Sequence, residues 1–151
     1  MTDADLPSHW LAAARRPEVA LGLEAIYELI AEQIEARGPA CWASGRCCNF
    51  EKAGHLLYTT GLEAAYCVSR LSAPLALPAG NLPGCVFQEK NLCGVHRIKP
   101  SGCRVYFCDA SAQQWQNDLT ERALELIRGL HDRHQIEYRY GEWRQMLRAL
   151  S

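Results

Sequence analysis

The 151-residue chain has 48% hydrophobic and 22% charged residues, an ordinary globular composition. A chain of that length buries roughly 68–70% of its unfolded surface and supports a single domain. Sixteen Lys and Arg stand against 17 Asp and Glu, a net charge of −1 that argues against a general polyanion binder, and no apolar run reaches the roughly 18–20 residues that cross a bilayer.

In chain order, the start Met1-Thr2-Asp3-Ala4-Asp5 is acidic where a secretory signal is basic, so a cytoplasmic location is expected, with neither nucleic acid nor membrane as partner. Leu6 to Arg16, with Pro7 and Trp10, reads as a leading segment. Pro17 then sits where a first helical turn tolerates proline, and Val19, Leu23, Ile26, Tyr27, Ile30 and Ile34 recur at helical spacing as far as Gly38-Pro39. A helix over about 17–37 is predicted, with Glu24, Glu28, Glu32 and Glu35 on its solvated face. His55 to Tyr58 suits a short strand, and Thr60-Gly61-Leu62-Glu63 reads as a capping box opening a helix to about Leu71. Ser72 to Gly84 reads as a loop. Cys85-Val86-Phe87 and Leu92 to Val95 suggest a small hairpin turning through Gln88–Asn91.

The last third returns to helix over about 111–134, capped by Asp109 or Ser111, with Trp115, Leu119, Ala123, Leu126, Ile127 and Leu130 on its apolar face. His131 and His134 sit at its C-terminal end, where surface positions complementing the helix dipole are expected. Ile136, Tyr138 and Tyr140 alternate, and Trp143, Met146, Leu147 and Leu150 mark a short final helix. Trp115 and Trp143 read as core. The expected fold is mainly α, one small domain over 1–151, with helices surrounding a Cys-rich segment, 41–108, that holds the hairpin.

Cysteine is the informative residue. Eight occur, about 5% of the chain, against the roughly 8–10% of a disulfide scaffold. In a reducing compartment clustered thiols read first as metal ligands or catalysts. No Cys-x-x-Cys pair and no consecutive ferredoxin run is present, so the spacing requires a site assembled by the tertiary fold. Cys67 lies on a predicted helix beside Val68 and Leu71 and reads as a small core residue. The other seven, Cys41, Cys47, Cys48, Cys85, Cys93, Cys103 and Cys108, are the candidate metal ligands. Arg46, Arg97, Lys99 and Arg104 are interleaved with them and offset part of the charge of the thiolates.

The pattern Cys41-x2-Ser44-x2-Cys47-Cys48, Cys85-x-Phe87 and Asn91-Leu92-Cys93-x-Val95-His96-x2-Lys99-Pro100-x2-Cys103-Arg104-x-Tyr106 resembles the YkgJ-type cysteine-cluster proteins. These carry a zinc- or iron-chelating domain named for a Cys-x2-Cys-x2-Cys-Cys motif, and the likeness spans residues 41–108. Ser44 stands where the family has its second cysteine, His96 where tyrosine is usual and Lys99 where arginine is usual. His96 is a candidate replacement ligand.

The resemblance implies chelation of zinc or iron. Seven thiols exceed the needs of one zinc ion, and basic neighbours suit an anionic cluster, so an iron–sulfur cluster, [4Fe–4S], is favoured. A single such cluster is expected on Cys48, Cys93, Cys103 and Cys108, with Cys41, Cys47 and Cys85 as neighbours, second-site ligands or a redox-active pair. The expected role is redox or electron transfer with a redox partner protein. The alternative is a structural zinc site pinning a helical interaction domain without catalysis.

Overall fold

Residues 2–37, 57–71, 75, 88–89, 92–93, 98–101, 104 and 113–151 are described by the computed structural model. The leading segment is itself a helix, α1 (Leu6–Arg15), entered through a 3-10 turn at Asp3–Asp5. Leu6, Trp10, Ala13 and Ala14 follow the helical repeat and are buried, and Pro7 lies in the first turn, where its missing N–H leaves no bond unmade. Two of those four are alanines, a weak hydrophobic signal that hides the helix in the sequence. Helix α2 (Pro17–Arg37) starts and ends as expected, burying Val19, Leu23, Ile26, Tyr27 and Ile30. Glu28, Glu32 and Glu35 face solvent, whereas Glu24 is half-buried and accepts from the Tyr66 hydroxyl at 3.1 Å.

Strand β1 (Tyr58–Thr60) runs into helix α3 (Gly61–Ser69), capped by Thr60, whose hydroxyl accepts from the Glu63 N–H at 3.2 Å. The reciprocal arm of the predicted capping box differs: the Glu63 carboxylate accepts from the Thr60 hydroxyl and from groups well outside the cap. A two-stranded hairpin follows, β2 (Gln88–Glu89) against β3 (Leu92–Cys93), with Gln88 opposite Cys93 and Glu89 opposite Leu92. Gln88 and Glu89, expected in the turn, therefore belong to the strand.

Helix α4 (Gln113–His134) buries Leu119, Ala123, Ile127 and Leu130 and ends in a left-handed residue, Gln135, at φ 56°. The Ile136 N–H closes the end on the His131 carbonyl at 2.9 Å, an arrangement usually built with glycine. Of the alternating stretch after it, only β4 (Tyr140–Glu142) is a strand, pairing antiparallel with β1 in the register Tyr58 to Glu142 and Thr60 to Tyr140. Helix α5 (Trp143–Leu150) completes the fold, with Trp143, Leu147 and Leu150 buried.

The elements are closed by contacts distant in sequence. A Cβ on Gly22 of α2 would lie 2.6 Å from the Leu130 side chain, while Leu29 and Ile30 share a cleft of about 290 Å³ with Trp115 and Leu119, so α2 and α4 run antiparallel. Helix α1 packs chiefly on α3, where a Cβ on Gly61 would fall 2.5 Å from the Trp10 ring. That ring cannot retreat freely, because its Nε1 donates to the Glu137 carbonyl at 2.9 Å. The result is a mainly helical, single small domain with one buried core. Among the described residues, no helix is long and apolar enough to cross a membrane.

Candidate functional site

The side chain of Glu63, in the first turn of α3, accepts hydrogen bonds from four donors. It is fully buried. Burying an unpaired carboxylate costs several kcal/mol, so its partners explain how it is kept there. Oε1 accepts from the Thr60 hydroxyl at 3.0 Å and the Ser101 hydroxyl at 3.2 Å; Oε2 accepts from the Tyr27 hydroxyl at 3.0 Å and the Ser101 N–H at 2.6 Å. Four donors fill the lone-pair positions of both oxygens.

Three chain segments meet there. Tyr27 comes from α2, Thr60 and Glu63 from the β1–α3 junction, and Ser101 from the Cys-rich segment. Ser101 is helical, as is Arg104, whose N–H bonds the Pro100 carbonyl at 3.3 Å. The Ser101 N–H donates to a carboxylate, a charge-assisted bond stronger than one between neutral groups. Arg104 lies over the Tyr27 ring with its Cζ 3.9 Å from the centroid, and its Nε donates to the Lys99 carbonyl at 2.8 Å.

Electrostatics follow from this packing. Burial pushes the Tyr27 hydroxyl well above its ordinary range, and the negative charge of Glu63 adds to the shift, while the Arg104 guanidinium partly opposes it. Tyr27 is therefore a fixed donor to Glu63 at neutral pH. Tyr66 meets the Tyr27 ring edge-on at 6.0 Å; desolvation and the nearby Glu24 raise its hydroxyl as well.

Of the eight cysteines, Cys67 is buried in α3 among core residues, as expected, and Cys93 lies on β3. Cys41, Cys47, Cys48, Cys85, Cys103 and Cys108, together with Ser44 and His96, lie outside the described residues. So do the expected Gly38-Pro39 helix stop, the 72–74 and 76–84 parts of the predicted loop, and the caps Asp109 and Ser111. Among the described residues, no three His, Cys, Asp or Glu side chains form a group able to hold a metal ion. Arg104, interleaved with the cysteines in sequence, stacks on the face of the Tyr27 ring.

The expectation for His131 is corrected. It is buried, with 1% of its surface exposed, because the left-handed turn at Gln135 folds the chain back over the end of α4. Its Nδ1 lies 3.2 Å from the Ile136 carbonyl, which can only accept, so Nδ1 carries the proton; Nε2 has no hydrogen-bond partner among the described residues. Desolvation lowers its pKa, against the raising effect of the Ile136 and Glu137 backbone. Trp143 is fully buried and Trp115 half-buried, both on the apolar faces where they were expected.

The buried polar cluster was hidden in the sequence. Glu63 was visible only as a capping residue, and nothing local to Thr60–Glu63 points to Ser101, 38 positions on. No family model, curated protein or solved structure matches the chain.

Proposed function

We propose that the chain is a metal-binding protein whose seven cysteines other than Cys67 build a thiolate centre, with a [4Fe–4S] cluster as the favoured occupant. The observation that carries this reading is the thiol inventory of residues 41–108. Cys67 is accounted for by the core, leaving seven thiols over one stretch in which basic residues outnumber acids from Cys85 to Cys108. The chemistry of that donor set fits an iron–sulfur cluster, which four thiolates hold and nearby positive charge stabilises. The motif resemblance to the YkgJ-type cysteine-cluster proteins supports the same reading.

Cys48, Cys93, Cys103 and Cys108 would hold the cluster. The cluster supplies one-electron chemistry when bound. The chain's own contribution is to present thiolates from separate segments and to anchor the stretch around Cys103 on the helical frame. A redox partner protein in the cytoplasm follows as the expected source or recipient of the electron.

Anaerobic purification followed by metal and sulfide analysis tests the proposal. A brown protein with about four iron and four acid-labile sulfide per chain is expected, and Cys93→Ser and Cys103→Ser should each lose most of that iron. A colourless protein holding zinc, which unfolds on chelation, replaces the cluster with a structural zinc site and removes the redox role. A metal-free protein with six or more oxidised thiols overturns the thiolate centre altogether.

A further inference from the structure

We propose that Glu63 is the positioning residue of the cysteine centre: its buried carboxylate fixes the chain on one side of Cys103 directly and on the other through Tyr27 and Arg104. The inference rests on the reading of the cysteines as metal ligands. A glutamate that served only to cap α3 has no need of complete burial, since a capping box closes equally well at a solvated helix end. Here each oxygen also accepts from outside the cap, Oε1 from the Ser101 hydroxyl and Oε2 from Tyr27 and the Ser101 N–H. Two of the four hydrogen bonds come from Ser101, two residues before Cys103. A third comes from Tyr27, whose ring carries the guanidinium of Arg104, the residue after Cys103.

The shortest bond of the cluster, 2.6 Å, runs from the Ser101 backbone N–H at the start of a helical turn. A charge-assisted bond from the backbone itself fixes the position of Ser101 more firmly than its hydroxyl does. Arg104 then closes the turn on itself through the Lys99 carbonyl. One carboxylate thus links the frame of α2 and α3 to the Lys99–Arg104 stretch that contains Cys103. Thiolate–metal distances tolerate only a few tenths of an ångström, so the placement of that stretch governs how well a thiolate from it meets a metal. With both oxygens occupied by protein donors, Glu63 acts on the centre through Cys103 and is not a ligand itself.

The test uses the full chain purified anaerobically with whatever iron or zinc it holds, challenged with EDTA. Glu63→Gln keeps the shape of the side chain but turns one acceptor oxygen into a donor. It is expected to release metal about 10–100-fold faster than the unaltered chain, the usual effect of losing a group that orients a ligand. Ser101→Ala, which deletes only the hydroxyl, is expected to accelerate release more modestly, and it carries the test should Glu63→Gln fail to fold. Leu147→Ala, a core cavity in α5, controls for loss of stability. It should lower the unfolding temperature of the metal-free protein yet leave the release rate unchanged. Equal release rates for Glu63→Gln and the unaltered protein would overturn the positioning role while leaving the thiolate centre intact. Equal acceleration by Leu147→Ala would overturn it as well, and an unaltered chain that holds no metal would remove both.

Discussion

The guanidinium of Arg104 lies 3.9 Å from the centre of the Tyr27 ring, and the hydroxyl of that same ring donates to Glu63. The tyrosine is thus read by two charges of opposite sign, one on its face and one at its tip. Helix α2 is joined in this way to a segment more than seventy residues later. A cation over a tyrosine face contributes about 0.5–1 kcal/mol at exposed sites and about 2 when desolvated; Arg104 is half-buried, between those limits. A double-mutant cycle of Arg104→Ala with Tyr27→Leu, read by denaturant unfolding, is therefore expected to show a coupling of about 1 kcal/mol. Arg104→Lys should be destabilising too, since an ammonium has neither the planar stacking surface nor the Nε that reaches the Lys99 carbonyl. A coupling near zero would show that the stacking contributes nothing to folding.

Gly61 is required by proximity. A methyl group there would meet the Trp10 ring at 2.5 Å, and the ring is held by its bond to the Glu137 carbonyl. Neither side yields without breaking something: the Gly61 N–H is itself bonded to the Arg139 carbonyl at 3.1 Å. Gly61→Ala is expected to destabilise by about 1–3 kcal/mol, the usual range for overpacking, despite the better helix propensity of alanine. Denaturant unfolding followed by tryptophan fluorescence measures it, and a neutral or stabilising result would show that α1 can slide on α3.

His131 makes the fold sensitive to acid. Its folded pKa is lowered, chiefly by desolvation, so the unfolded chain binds a proton at a pH where the native protein does not. Stability is then fully present above the ordinary histidine value of about 6.5 and is lost as pH falls from there through the lower folded value. Protonation would place an N–H at Nε2, where no acceptor stands among the described residues. His131→Asn can keep the donor to the Ile136 carbonyl without the titration. Unfolding curves between pH 7.5 and 5.5 should therefore fall less steeply for the variant, and identical slopes would show that His131 does not set the acid sensitivity.

Helices α2 and α5 were legible because each encodes a continuous apolar stripe with local punctuation: Pro17 before one, and Trp143, Leu147 and Leu150 along the other. Helix α1 escaped notice because half of its buried face is alanine, whose small side chain barely registers in a hydrophobic pattern. The end of α4 was legible at His134, but the reversal of the chain after it was not, since the left-handed position is taken by Gln135 and lacks the usual glycine signal. The burial of His131 depends on that reversal of the chain, so it could not be read from helical spacing alone.

Amino-acid order is enough to establish a mainly helical domain and a stock of eight cysteines, because periodicity and composition are local properties. The pairing of Tyr58 with Glu142, the seat of Trp10 on Gly61 and the gathering of Tyr27 and Ser101 around Glu63 came from folding. Each joins positions tens of residues apart, and such contacts leave no trace in any short window. They exist because a buried carboxylate or ring must find its donors wherever the packed chain brings them.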